Sequence, residues 1–162
     1  SMEEIEEGVI EEKSIGDKME DITPSEDPMI KEPDMKKMEE MKIMLSGEIF
    51  DVTNGFEVQG INTGGNSKGI EKASYENGEY NLIVTFENLP DPKGTDFYEG
   101  WIVRGEDFNV LSTGKVVKIG GVYTDTYSSE QDLTKHDFYV LTIEPDDGNP
   151  EPAGHILEGN LQ

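Results

Sequence analysis

The sequence predicts an all-β protein: an antiparallel β-sandwich of immunoglobulin-like type behind a disordered acidic tail. Three observations predict it. All seven methionines lie at or before Met44, and all thirteen aromatic residues lie at or after Phe50. The second region consists of short apolar-alternating runs punctuated by Asn-Gly and Gly-Gly pairs, the grammar of hairpins. It shows no convincing helical period. These features divide the chain into a linker, 1–45, and a sandwich domain, 46–162.

The linker has no aromatic residue and dense charge. Such a composition cannot bury enough apolar surface to offset chain entropy, so disorder is expected. Pro24, Pro28 and Pro33 oppose a long helix. One short helix is expected at 34–44, where Asp34 can cap "MKKMEEMKIM".

In the second region, "IFDVTNGFEVQG" (49–60) predicts a hairpin turning at Asn54-Gly55. "ASYENGEYNLIVTF" (73–86) predicts another at Asn77-Gly78, and "GKVVKIGGVYTDTY" (114–127) a third at Gly120-Gly121. "FYEGWIV" (97–103) and "FYVLTIE" (138–144) are aromatic and β-branched runs that suit central strands. Pro90, Pro92 and Pro145 fall at predicted strand ends, where a missing N–H costs least. Phe86, Trp101, Val103, Tyr139, Leu141 and Ile143 form the expected core.

Composition excludes several functions. The 162 residues include 36 acidic and 13 basic side chains, a formal net charge of −23, which disfavours nucleic acid and anionic membrane surfaces. There is no cysteine, hence no disulfide framework and no Cys-containing zinc site. No apolar run approaches the roughly 18 residues of a membrane span. The opening Ser1-Met2 reads as the remnant of a cleaved purification tag, with the natural start upstream.

Two separated stretches carry a family resemblance. "ENLPDPKGTDFYEGWIV" (87–103) contains Leu89-Pro90 and then Tyr98 and Trp101. "LTIEPDDGNPEPAG" (141–154) contains Thr142, Glu144, Pro145, Gly148, Pro152 and Gly154. Together they resemble the C-terminal domain of anti-sigma-K factor-like proteins, over roughly residues 66–160. The resemblance implies a β-sandwich on the outer side of a membrane, joined by a linker to an anchoring segment. The transmembrane helix and the zinc-binding, sigma-holding segment of that family have no counterpart in this sequence. Two departures stand out: Gly100 where the family has a bulky apolar residue, and Asp146-Asp147 in place of a small neutral pair.

Two metal readings arise from the residues. Glu144, Asp146 and Asp147 offer hard oxygen ligands for Ca²⁺. The spaced D-x-[DN]-x-[DN]-G pattern is missing, however, which favours a rigid strand connection. Met35, Met38, Met41 and Met44 repeat M-x-x-M, soft thioethers suited to Cu(I). The competing reading is a weakly amphipathic helix or a polar linker. Tyr98 and Trp101 are three apart on a strand and should face opposite sides, Trp101 inward. Tyr98 would then join Tyr75, Tyr80, Tyr123 and Tyr127 in an exposed aromatic patch. Catalysis finds no G-x-S-x-G elbow, no H-E-x-x-H and no phosphate-cradling loop. "GINTGGNSKG" (60–69) reads as a flexible loop. His136 and His155 are placed at a turn and at the start of the last strand. No cofactor is expected beyond those two metals.

The sequence thus predicts a non-enzymatic, extracytoplasmic interaction or sensing module with protein partners, held off a membrane by its stalk. The alternatives are a metal-binding protein and a structural cell-surface component.

Overall fold

The computed structural model describes residues 44–162. The expected disorder of the linker, and all but the last residue of the expected 34–44 helix, lie outside the described residues. Strand β1 (Leu45–Asp51) opens the domain, followed by β2 (Lys68–Glu76), β3 (Glu79–Glu87), β4 (Phe97–Arg104) and β5 (Asn109–Lys115). The remaining strands are β6 (Val117–Ile119), β7 (Val122–Ser129), β8 (Phe138–Glu144) and β9 (Gly154–Asn160). Among the described residues there is no helix, and so none long and apolar enough to cross a membrane.

The all-β antiparallel architecture is as expected. The nine strands form one continuous sheet in the order β5-β4-β8-β9-β1-β2-β3-β7-β6. It curls over itself, sandwich-like and nearly closed into a barrel. Two of the three expected hairpins form. Asn77 and Gly78 have φ of 53° and 78°, the left-handed pair that a type I′ turn demands, and they join β2 to β3. Gly120 and Gly121 (57° and 85°) likewise join β6 to β7.

The third expectation is corrected. Asn54 and Gly55 do turn, at φ 58° and 81°, but no hairpin follows. β1 pairs instead with β2, after a loop spanning 52–67. The reason lies at Asp51. Its carboxylate accepts the backbone N–H and hydroxyl of both Thr53 and Ser67, and the hydroxyl of Thr63. Five donors gather the loop onto the strand end before a returning strand can form. The stretch 60–69, expected to be a flexible loop, is thereby fastened, and its last residues, Lys68 and Gly69, open β2.

The core differs from expectation in two respects. Phe86, Tyr139, Leu141 and Ile143 are buried in the main cluster with Ile49, Leu82, Val84, Ile102 and Leu157. Val103 is only half-buried. Trp101 is 7% exposed but lies outside that cluster, on the opposite face of β4. Tyr98 takes the inward place.

Candidate functional site

The motif residues form a fastening. On β4 and β8 the outward positions Trp101 and Val140 pair across the ladder, as do Glu99 and Thr142. The Trp101 indole N–H donates to Thr142 Oγ1 at 2.9 Å. That hydroxyl donates to Glu144 Oε2 at 2.5 Å, which also accepts the Ala153 amide at 2.8 Å. A chain of hydrogen bonds thus runs from β4 through β8 to the residue before β9. Gly154 completes it, because any Cβ there would overlap Val58 of the 52–67 loop. Tyr98 donates to the Pro90 carbonyl at 2.8 Å and packs edge-on to Tyr123, while Leu89 lies against the core. Gly148 has φ of 78°, which suits glycine in the tight turn there. Pro145 is half-buried at the end of β8, and Pro152 is exposed.

The three acids of the acidic loop are not brought together. Glu144 is buried and committed to Thr142 and Ala153, while Asp146 and Asp147 are exposed. Asp147 accepts the Asn149 amide, and Asn149 in turn accepts the Glu151 amide. These are successive side-chain-to-backbone turns that stiffen the loop. Among the described residues, no group of three or more acids and histidines is arranged to hold a metal ion. Met35, Met38 and Met41 lie outside the described residues. Met44 is half exposed; its amide donates to the Ala73 carbonyl and its sulfur accepts the Tyr75 amide at 3.0 Å.

The expected aromatic patch is also corrected. Tyr80 and Tyr98 are buried, and Tyr75, Tyr123 and Tyr127 pack against the core. Tyr98 enters where the Pro90 carbonyl accepts its hydroxyl, as Tyr139 does where Asp125 accepts. Tryptophan takes the outer face, where Thr142 accepts its N–H. His136 is buried, with Nε2 donating to the Asn109 side-chain carbonyl at 2.7 Å; desolvation lowers its pKa and keeps it neutral. His155 pairs with Glu158 at the surface.

Sequence reasoning missed two buried acids. Glu71 on β2 is 0% exposed, and neither carboxyl oxygen has a partner. Burial alone pushes it up to about 8. Asp125 on β7 is buried too. Its Oδ2 accepts hydroxyls from Tyr139 at 2.6 Å and Thr113 at 2.5 Å, while Oδ1 has no partner. Burial pushes it up to about 7 despite those two hydrogen bonds, with nearby Glu99 adding to the rise. Gly100 explains itself here, since any Cβ would overlap Asp125, Tyr139 and Thr113. Alternation could have found Asp125: in "YTDTY" (123–127) it shares the face of two core-packed tyrosines.

The outer face presents one more feature. Where β1 and β9 meet, a shallow groove of about 480 Å³ is lined by Phe50, Val52, Phe138, Glu48, Glu158 and Asn160. Phe50 is 57% exposed, and Ile70 on the adjoining β2 is 44% exposed. No protein-family model matches the chain, and no curated protein or solved structure is significantly similar to it.

Proposed function

We propose that this chain is a non-enzymatic, extracytoplasmic interaction module whose binding face is the outer surface of β9, β1 and β2. The observation that carries this reading is the apolar strip of Phe50, Val52 and Ile70, left in water beside the groove. Large apolar side chains clustered on one face mark interaction surfaces more often than singly scattered ones do. The occupant it fits is a peptide segment with an apolar side chain flanked by Lys or Arg. Glu48 and Glu158 rim the groove, and residues 44–162 include twenty-one acidic against seven basic residues. Such a field repels acidic partners and steers basic ones. The resemblance to the outer domain of anti-sigma-K-like proteins supports placing the module outside a membrane, with the acidic segment 1–45 as its spacer.

An NMR titration tests this directly. The probes are an acetylated, amidated Lys-Phe-Lys-Leu-Lys peptide and its Glu-Phe-Glu-Leu-Glu counterpart. Saturable shifts at Phe50, Val52, Phe138 and Glu158 with the basic peptide alone, lost in Phe50→Ser, are the expected result. Equal shifts from both peptides, or shifts that survive Phe50→Ser, would remove the groove as the binding face.

A further inference from the structure

Strands β5 and β7 lie toward opposite ends of the sheet order and are not ladder neighbours. One carboxyl group bonds their side chains across the gap. Asp125 on β7 accepts the Thr113 hydroxyl from β5 and the Tyr139 hydroxyl from β8, both on Oδ2. Thr113 reaches inward because it is the extra residue at a bulge: the β4–β5 register steps from Trp101↔Ser112 to Gly100↔Gly114. Gly114 has φ of 99°, a conformation that favours glycine, so the bulge is written into the sequence. Gly100 leaves the space that the three oxygens fill. Bulge, glycine and acid together form a built contact across the seam of the curled sheet.

The titratable groups around it are Tyr139 on β8, Tyr80 on β3, Glu99 on β4 and Glu71 on β2. Tyr80 and Tyr139 both feel the charges of Asp125 and Glu71, and Glu99 acts on Asp125 itself. None of these groups is cationic. An ionised Asp125 would therefore leave a buried charge with one bare oxygen and no counter-ion.

We propose that the Asp125–Thr113–Tyr139 contact is a proton-operated clasp, which holds the β5–β7 seam closed when Asp125 is neutral and lets it part when Asp125 ionises. On ionisation the carboxyl gives its proton to solvent, and water enters the seam to hydrate Oδ1. The raised value of about 7 for this carboxyl sets the change of state near neutrality. The clasp is independent of the peptide-binding reading above.

Amide hydrogen exchange on the full chain tests it, with rates corrected for the intrinsic effect of pH. The Val116 amide, bonded to the Tyr98 carbonyl of β4 and buried beside the seam where β5 passes into β6, is the reporter that water entering the seam reaches. Leu82, on a strand paired on both sides, reports the body of the sheet. Between the ordinary 3.8 of an exposed carboxyl and the raised value of about 7, the open fraction should grow by up to about ten-fold per pH unit and then level off, so Val116 protection should fall over that window relative to Leu82. In Asp125→Asn it should stay flat. Parallel loss at both amides, or a pH-dependent loss that persists in Asp125→Asn, would overturn the clasp. Should the Asn variant fail to fold, Thr113→Val takes its place. It removes the β5 donor and should lower Val116 protection already at about pH 6, below the carboxyl's raised pKa. Unchanged protection in that variant would equally overturn the proposal.

Discussion

Asp51 and Glu71 lie on adjoining strands, and their chemistry is opposite. Both are pushed toward neutrality by burial. Asp51 receives five hydrogen bonds from Thr53, Thr63 and Ser67, which outweigh burial and hold it at about 2. Glu71 receives none and rises to about 8. Donors and depth together decide whether a carboxyl folds as an anion or as an acid: Asp51 is shallow with five donors, Glu71 is deep with none, and Asp125 is deep enough to stay an acid despite two. The 52–67 loop is therefore held by a charge, whereas the interior is held by protons.

The two regions respond to pH with opposite sign. Asp51 is depressed below its ordinary 3.8, so its contribution is present above that value and is lost as pH falls toward about 2. Glu71 and Asp125 stay protonated in the folded state while ionising in the unfolded chain above their ordinary values of 4.5 and 3.8. The unfolded state then binds fewer protons, so stability declines as pH rises toward about 7 for Asp125 and about 8 for Glu71. Stability should peak at about pH 4 to 5, and a peak above about pH 7 would break the comparison.

The largest mutational effect is expected at Gly100→Ala. Its new Cβ collides with the Asp125 cluster and should cost about 3 kcal/mol or more in urea unfolding. Asp51→Asn removes the charged acceptor from under five donors. It should cost about 2–3 kcal/mol at about pH 7 and much less at about pH 2, where the wild-type group is itself half protonated. Glu71→Gln should act in the opposite direction, gaining about 2 kcal/mol near pH 8 and nothing near pH 4. An equal effect at both pH values would show that Glu71 folds as an anion. Trp101→Phe sharpens the picture of the outer face. It removes one hydrogen bond to Thr142 but keeps much of the ring, so a loss of about 1 kcal/mol by circular dichroism melts is expected.

Much of the fold was legible because turns are local. Asn77-Gly78 and Gly120-Gly121 need left-handed backbone, and no distant partner alters that need. The Asn54-Gly55 hairpin misled because its fate depended on Asp51, Thr63 and Ser67 gathering from across the loop. The Tyr98–Trp101 exchange was unreadable for a related reason: alternation says that the two face apart, but which of them enters depends on acceptors from elsewhere in the chain, the Pro90 carbonyl for Tyr98 and the Thr142 hydroxyl for Trp101. Glu71 was the hardest to see. In "KGIEKASYE" (68–76) it stands between Ile70 and Lys72 and reads as solvent-facing. Gly69 and Ala73 share its face, and the β1 and β3 registers turn that face inward. The motif at 141–154 was visible as a pattern. Its role in fastening β4, β8 and β9 needed the Trp101–Thr142–Glu144 hydrogen bonds, which no spacing reveals.

The central claim is that the interior is held by protons and the loop by a charge. A side-chain ¹³C NMR titration of the folded chain measures it most directly, following the carboxyl carbons of Asp51, Glu71 and Asp125. The account predicts midpoints of about 2, about 8 and about 7 in that order. Midpoints for Glu71 and Asp125 near their ordinary 4.5 and 3.8 would contradict it.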